Sequence, residues 1–318
     1  MMYPLVATTS REHAEEIDLI QRAQFARRKF LTSVPRNAEE ATRQLSFGGL
    51  HYRNQYYYES LPVYLKMVNL ALHHGCRNIL ELGAGLSTAL WANYATRTNA
   101  TITTIDADFM PMRSYIPSRE HAAKIDERVR LVQGVTITAD QLRDHYESGP
   151  RADFGGVPAN AVIDAIEAFV LPMPEKRVEQ VTKAAGSDEW TMRQLFLDRK
   201  GLIFPKRLLD SLSPSGRFAK DVAFLEQFTG TVFDSQIDLK QSWDLIFFDS
   251  GEVSSAVEWL LLKDRIAVGG LAAFHDIFFP KSIKNFVVCA AIAADPKWRI
   301  VLFDDSTIQG LLIAQRIA

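Results

Sequence analysis

The sequence predicts an α/β fold, with a mostly parallel sheet covered by helices on both faces. Three observations carry that prediction. Strand-like and helix-like stretches alternate between about residues 61 and 138, the pattern that a parallel sheet with crossover helices requires. The same alternation resumes near residue 243 and continues to the end. The composition, 47% hydrophobic and 23% charged over 318 residues, supplies a core for such a sheet and excludes disorder as the overall state.

Residues 1–60 form an N-terminal extension. Within it Ser10 precedes Ile17, Ile20, Ala23 and Phe30 at near-helical spacing, with Arg27, Arg28 and Lys29 near the end. A capped amphipathic helix with a basic last turn is expected there. The cluster Tyr56, Tyr57 and Tyr58 is expected to pack against a neighbouring element. Next, Leu61, Leu65, Val68 and Leu72 follow helical spacing, and Gly75 stands where a helix C-terminus usually places glycine. A strand over 78–82 runs into Gly83-Ala84-Gly85, and Ser87 is the expected cap of a helix over 88–95. A strand over 101–106, a helix over 113–125 and a strand over 129–133 complete this half.

The alternation then stops. About 100 residues precede the next convincing strand, far more than a crossover helix needs and too many for a structureless loop. Residues 139–240 are therefore expected to form a helical insertion, a cap beside the sheet's ligand-binding edge. Trp190, Phe196 and Phe204 offer apolar lining there. A core of 61–138 and 241–318 closes around it. Its second half reads as a buried strand over 243–249, a helix over 254–266, a strand over 270–275, a helix over 281–294 and a final hairpin. The hairpin strands are 298–303 and 308–315, with a turn at 304–307.

Lys+Arg 36 against Asp+Glu 38 leaves a formal charge of −2, so no basic field for nucleic acid or anionic membrane is present. The longest apolar run, 286–294, falls well short of the ~20 residues that span a bilayer. The N-terminal stretch lacks the basic start and apolar segment of a signal peptide. With only Cys76 and Cys289 present, a reducing, cytoplasmic setting is expected rather than a disulfide framework. Cys289 reads as core, His73-His74 as a solvated helix end, and Asp304-Asp305 as a turn.

The strongest chemical signal is the first strand–turn–helix. Gly83 and Gly85 let the backbone turn sharply and approach a ligand, and the helix start beyond supplies unpaired N–H groups. A nicotinamide fingerprint would want a third glycine near position 88, where Ser87-Thr88 stands. Asp106, at the end of the second strand, can accept both hydroxyls of a ribose in the crevice.

Glu81-Leu-Gly-Ala-Gly-Leu-Ser-Thr88 resembles motif I of the class I S-adenosylmethionine-dependent methyltransferases, with Glu81 at the motif's acid. Asp106 matches the acid that holds the adenosine ribose, and Val132-Gln133-Gly134 the stretch that borders the adenine. Asp244 to Asp249 matches motif IV, and Gly269 to Asp276 the strand after it. The resemblance covers about half of the chain. It implies a Rossmann-like sheet of seven mostly parallel strands with an antiparallel last strand. It also implies S-adenosyl-L-methionine as cofactor, bound by Glu81, Gly83, Ala84, Gly85, Ser87, Thr88, Asp106, Gln133, Gly134 and Asp249. The acceptor it leaves open. A small or medium-sized molecule methylated at oxygen is expected, with no nucleic-acid or membrane partner, and self-association into a homo-oligomer stays open.

Methyl transfer needs in-line positioning and, at an oxygen nucleophile, an exit for one proton. Asp249 and His275 are the catalytic candidates. In the cation-dependent small-molecule O-methyltransferases of this family, motif IV supplies one carboxylate and the end of the next strand an acid–amide pair. Asp249 matches the first, whereas His275-Asp276 stands in the place of the pair. If a divalent metal binds, its ligands are Asp249, His275 and Asp276. Magnesium prefers oxygen, so a histidine suits a transition metal or no metal, and an imidazole of ordinary pKa near 6.5 can serve as base by itself. Two alternatives remain. One is a nicotinamide-dependent oxidoreductase using the same crevice, and the other a non-catalytic protein that holds adenosylmethionine.

Overall fold

Apolar alternation along each central strand divides the molecule into two layers around one sheet. A computed structural model describes residues 55–115, 119–147, 153–170, 217–251, 253–277, 284–304 and 310–318. The expected helix over residues 11–30 lies outside the described residues, as do Trp190, Phe196 and Phe204. Strands β1 (Asn78–Leu82), β2 (Thr101–Asp106), β3 (Val129–Gln133), β6 (Trp243–Phe248), β7 (Ile266–His275), β8 (Trp298–Asp304) and β9 (Leu311–Arg316) form a seven-stranded sheet in the order β3-β2-β1-β6-β7-β9-β8. β4 (Asp153–Phe154) and β5 (Val157–Pro158) pair antiparallel as a separate two-stranded ribbon. In the large sheet only β9 runs against its neighbours β7 and β8. This is the Rossmann-like α/β arrangement that the motif resemblance implied.

One face of the sheet presents Ile79, Ile102, Leu245, Phe247 and Leu271 to α1 (Gln55–His73) and α2 (Leu86–Thr98). The other presents Leu80, Ile105, Ile246, Phe248 and Phe274, against which α9 (Ser255–Leu262) packs Trp259 and α10 (Phe286–Ala294) packs Val288, Cys289 and Ile292. Burying such side chains contributes about 1.5–3 kcal/mol each, and this is what holds the strand ends in place. Residues with buried alternate neighbours read as continuous apolar runs, as expected of parallel strands covered on both faces.

Between β2 and β3 the chain forms α3 (Met110–Tyr115) and α4 (Arg119–Arg128), two helices where the pattern predicted one. Between β3 and β6, α5 (Ala139–Glu147), α6 (Ala159–Val170), α7 (Arg217–Leu225) and the short α8 (Val232–Ser235) are described. Leu142 of α5 and Val222 and Leu225 of α7 share an apolar cluster with Val135, Ile137 and Val253. Val162 of α6 packs on Phe286 and Ala290 of α10. No helix among the described residues is long and apolar enough to cross a membrane. Cys76 and Cys289 are both free and buried.

Several expected details differ. Helix α1 begins at Gln55, so Tyr56, Tyr57 and Tyr58 fall in its first turns; their side chains lie outside the description. It buries Val63, Tyr64, Met67, Leu70 and Ala71; of the expected stripe, Leu65 and Val68 are partly buried against the same core and Leu72 is 57% exposed. This helix is apolar on most of its circumference, so spacing alone did not select the buried face. Ser87 is not the cap of α2, because the helix starts at Leu86 and Ser87 is buried in its first turn. Strand β7 starts at Ile266, not at residue 270. Its pairing with β6 jumps between Trp243 and Leu245, and Gly269-Gly270 lie in that bulge. The expected helix over 254–266 ends at Leu262, followed by a 3₁₀ turn over Lys263–Arg265. Helix α10 begins at Phe286 rather than residue 281. Asp304 ends β8 as a buried partner of Lys66 instead of opening a turn.

Candidate functional site

The carboxyl ends of β1, β2, β3 and β6 meet at a crevice of about 370 Å³. Gly83 and Ala84 border it from the first turn, Asp106 and Ala107 from the second, Gly134 to Ile137 from the third, and Asp249 to Gly251 from the fourth. Leu142 of α5 and Asp221, Phe224 and Leu225 of α7 face the same space. A crevice at the carboxyl edge of an open parallel sheet is where this kind of fold binds ligands.

Gly83 is required by close approach. Its φ is 90°, and a Cβ there would overlap the Asp249 carbonyl, standing 2.8 Å from the carbonyl carbon. The turn is fastened on both sides: the Gly83 N–H donates to Ile105 O at 2.9 Å, and the Asp249 N–H to Leu82 O at 2.9 Å. Gly85, by contrast, has extended backbone and open space around it. Asp106 accepts the Ala84 N–H at 2.7 Å and the Asp108 N–H at 2.9 Å, so its carboxylate both fixes the glycine turn and lines the crevice. Burial raises the Asp106 pKa, opposed by those backbone donors.

Glu81 lies beneath the turn, fully buried on the α2 side of β1. It accepts the hydroxyls of Thr88 and Thr104, each at 2.7 Å, and the Thr88 hydroxyl in turn accepts the Gly85 N–H at 3.0 Å. Thr88 thereby ties the helix start to the strand. Burial pushes the Glu81 carboxyl up to about 7, although the hydroxyls of Ser87, Thr88 and Thr104 favour its charged form. Among the described residues its Oε1 has no hydrogen-bond partner. Of the ten sequence-derived cofactor positions, Gly83, Ala84, Asp106, Gly134 and Asp249 border the crevice. Glu81, Gly85, Ser87 and Thr88 form the layer behind it, and Gln133 donates to Ala107 O at 3.2 Å along its rim.

Thr136, Ser250 and Glu258 were not singled out by sequence as one constellation. Both hydroxyls donate to the buried Glu258 carboxylate and form a polar floor to the crevice. Glu258 comes from α9, far along the chain from Thr136, and no local motif connects them.

Asp249 joins this crevice to a second cluster. The Tyr64 hydroxyl donates to Asp249 Oδ2 at 3.1 Å and lies 3.3 Å from His275 Nδ1. His275 Nδ1 stands 3.4 Å from Asp249 Oδ1 and 3.7 Å from Asp276 Oδ2. The ring is 3% exposed, and its Nε2 has no partner among the described residues. With two carboxylates and a hydroxyl on the Nδ1 side, a neutral ring here would carry its proton on Nδ1 and its lone pair on Nε2. Asp276 has φ 57°, a left-handed conformation uncommon for a non-glycine residue.

Lys284, missed by the sequence reading, enters the same group. Its ammonium is 2.5 Å from Asp249 Oδ1 and 3.6 Å from Asp276 Oδ2. Burial pushes the Asp249 pKa up, but the Lys284 charge, followed by His275, outweighs it and holds Asp249 well below the usual carboxylate range. Asn285 is also buried, and its amide donates to Phe248 O at 3.2 Å and His275 O at 2.5 Å, bridging the ends of β6 and β7. A Lys-Asn pair just before an unbroken apolar run was the available signal.

The donor atoms of Asp249, His275 and Asp276 lie within 4.8 Å of one another, as a metal site would require. The cluster nevertheless does not fit a divalent ion. A buried ammonium already stands against the carboxylate that would be its principal ligand, and its charge would oppose a second cation.

The sheet order, the antiparallel last strand and the glycine turn beside an acid-tipped second strand make this a Rossmann-like α/β fold. No protein-family model matches the chain, and no curated protein matches it. Among solved structures it is similar to a Staphylococcus aureus protein assigned as a caffeoyl-CoA O-methyltransferase, with TM-score 0.38 and 11% identity over 95% of this chain and 99% of that one. A Klebsiella pneumoniae protein assigned as an O-methyltransferase gives TM-score 0.39 and 14% identity over 92% of this chain and 96% of that one. The O-methyltransferase from Bacillus cereus in complex with SAH gives TM-score 0.38 and 13% identity over 88% of this chain and all of that one.

Proposed function

We propose that this protein is an S-adenosylmethionine-dependent methyltransferase that methylates a hydroxyl oxygen of a small or medium-sized acceptor. The observation that carries this reading is the crevice in which the glycine turn, the Asp106 carboxylate and the Asp249 end of β6 converge. Asp106 retains lone pairs for ribose hydroxyls, and Glu81 supports the turn from behind through Thr88. Bound adenosylmethionine supplies an electrophilic methyl group on a sulfonium. The protein's part is to align the acceptor oxygen with the carbon–sulfur bond and to take up the hydroxyl proton as the carbon–oxygen bond forms.

His275 is the proposed base and accepts that proton at Nε2, while Asp249 holds the ring through Nδ1 and stabilises the imidazolium. The carboxylate–imidazole arrangement follows the same logic as other orienting acids. The described helices α5 and α7 border the crevice, and the remainder of the 139–240 segment is proposed to complete the acceptor pocket.

Calorimetry with S-adenosylhomocysteine and with NADH tests the cofactor. Saturable binding of the first alone is expected, and preferential binding of NADH would refute the reading in favour of an oxidoreductase. Transfer of a labelled methyl group to a panel of hydroxylated aromatic acceptors then tests catalysis. Binding without transfer to any acceptor would favour a non-catalytic adenosylmethionine-binding protein.

A further inference from the structure

We infer that Lys284 is the resident cation of the acceptor site, taking the place of a divalent metal and making the reaction metal-independent. The inference rests on the methyltransferase reading above. Its geometry, however, is independent of the cofactor.

Asp249 and Asp276 approach the same imidazole nitrogen, at 3.4 and 3.7 Å. Two carboxylates brought together at a buried histidine repel each other unless a cation stands between them. The Lys284 ammonium fills that role, in reach of both. The lysine is only 7% exposed, and a buried ammonium is tolerated only when paired. Its backbone is fixed as well. The neighbouring Asn285 amide is bonded to the last carbonyl of β6 and the last carbonyl of β7. Lys284 thus enters the cluster from a point of the chain held next to the ends of β6 and β7, and its ammonium meets both carboxylates there. The lysine and the left-handed turn at Asp276 together hold one positive charge against the two carboxylates on the Nδ1 side of His275.

Lys284 touches Asp249 rather than the reacting atoms, so it acts as a positioning and charge-supplying residue. It neutralises one carboxylate, keeps Asp249 ionised beside His275, and provides the positive potential that a metal supplies in cation-dependent enzymes.

The test uses the full chain, Mn²⁺ as a spectroscopic probe, and the variants Lys284→Met and Lys284→Arg. Electron paramagnetic resonance of the wild type is expected to show no bound Mn²⁺, and turnover is expected to be unchanged by EDTA. Lys284→Met should lose kcat by about 10²–10³-fold, the range for loss of one preorganised charge, while retaining S-adenosylhomocysteine affinity. It should also acquire Mn²⁺ binding that a further Asp249→Asn change removes. Lys284→Arg should recover part of the lost kcat. Wild-type activity abolished by EDTA and restored by a divalent ion would overturn the inference, as would wild-type kcat in Lys284→Met. If Lys284→Met fails to fold, the wild-type EDTA and Mn²⁺ measurements still decide. Failure of the wild type to bind S-adenosylhomocysteine would instead sink the methyltransferase reading, an outcome separate from the Mn²⁺ result.

Discussion

Replacing Gly83 with alanine is a stringent test of how the crevice is built. The residue has φ 90°, and an added Cβ would overlap the Asp249 carbonyl, 2.8 Å from its carbon and 3.1 Å from Ser250 N. A non-glycine residue held in so sparsely populated a conformation costs about 1–3 kcal/mol. Forcing a methyl group into packed backbone costs about 1–3 kcal/mol more, so the sum is about 2–6 kcal/mol. A chain of this size loses about 2–4 °C of Tm per kcal/mol, which sets a fall of at least about 4 °C. Relief of the strain parts the β1 turn from the β6 end, and so shifts Gly83 relative to Asp249. Calorimetric melts should show the loss, with weaker binding of S-adenosylhomocysteine. Gly85→Ala is the control: with extended backbone and nothing within 4 Å of the new Cβ, its melt should stay close to that of the wild type. Equal melting of the two variants would refute the close-approach argument.

Asp106→Ala should weaken S-adenosylhomocysteine binding by about 1–3 kcal/mol, through loss of charge-assisted hydrogen bonds, as read by calorimetry. His275→Ala should lower kcat by about 10²–10⁴-fold with S-adenosylhomocysteine affinity unchanged; full activity would remove His275 as base. Glu81 is raised from its ordinary 4.5 to about 7 by burial, so the folded state holds a proton that the unfolded chain releases. Its stabilising contribution, of order 3 kcal/mol, is therefore complete below pH ~4.5 and lost as pH rises through about 7. Glu81→Gln should flatten that slope in melts taken across the range, and parallel profiles for the two proteins would rule out the linkage.

Local pattern was enough for the central sheet. β1, β2, β3 and β6 lie within a residue of their expected bounds, because each is a short apolar run closed by an acid or a turn. The glycine turn and Asp106 were legible for the same reason, as neighbours in sequence that become neighbours across parallel strands. What escaped depends on distant packing. The buried face of α1 is decided by the sheet beneath it, so Tyr64 was not distinguished from the other apolar and aromatic residues of that helix. Lys284 and Asn285 were absorbed into an expected helix, although they precede it and reach across to β6 and β7. Glu258 and Thr136 meet over 122 residues of chain, a separation that periodicity does not bridge. The bulge at Gly269-Gly270 hid the true start of β7, since a glycine pair looks like a strand boundary until its partner strand is seen.

The charge balance of the two connected sites favours lysine over a metal on physical grounds. Asp249 belongs to both the crevice and the Tyr64–His275–Asp276–Lys284 cluster. With His275 neutral, two carboxylates and one ammonium leave that cluster one net negative charge, which can attract a sulfonium carrying one positive charge. On the proposed reading, methyl transfer removes the positive charge from sulfur while the acceptor hydroxyl releases a proton. Positive charge is thus relocated, from sulfur to the imidazole beside Asp249 and Asp276. A divalent ion added next to Lys284 would invert the cluster to net positive. It would then oppose the arriving sulfonium and, later, the imidazolium. On that reading, Lys284 supplies enough charge to keep two carboxylates together and leaves enough negative potential for one cation, first on the cofactor and then on His275.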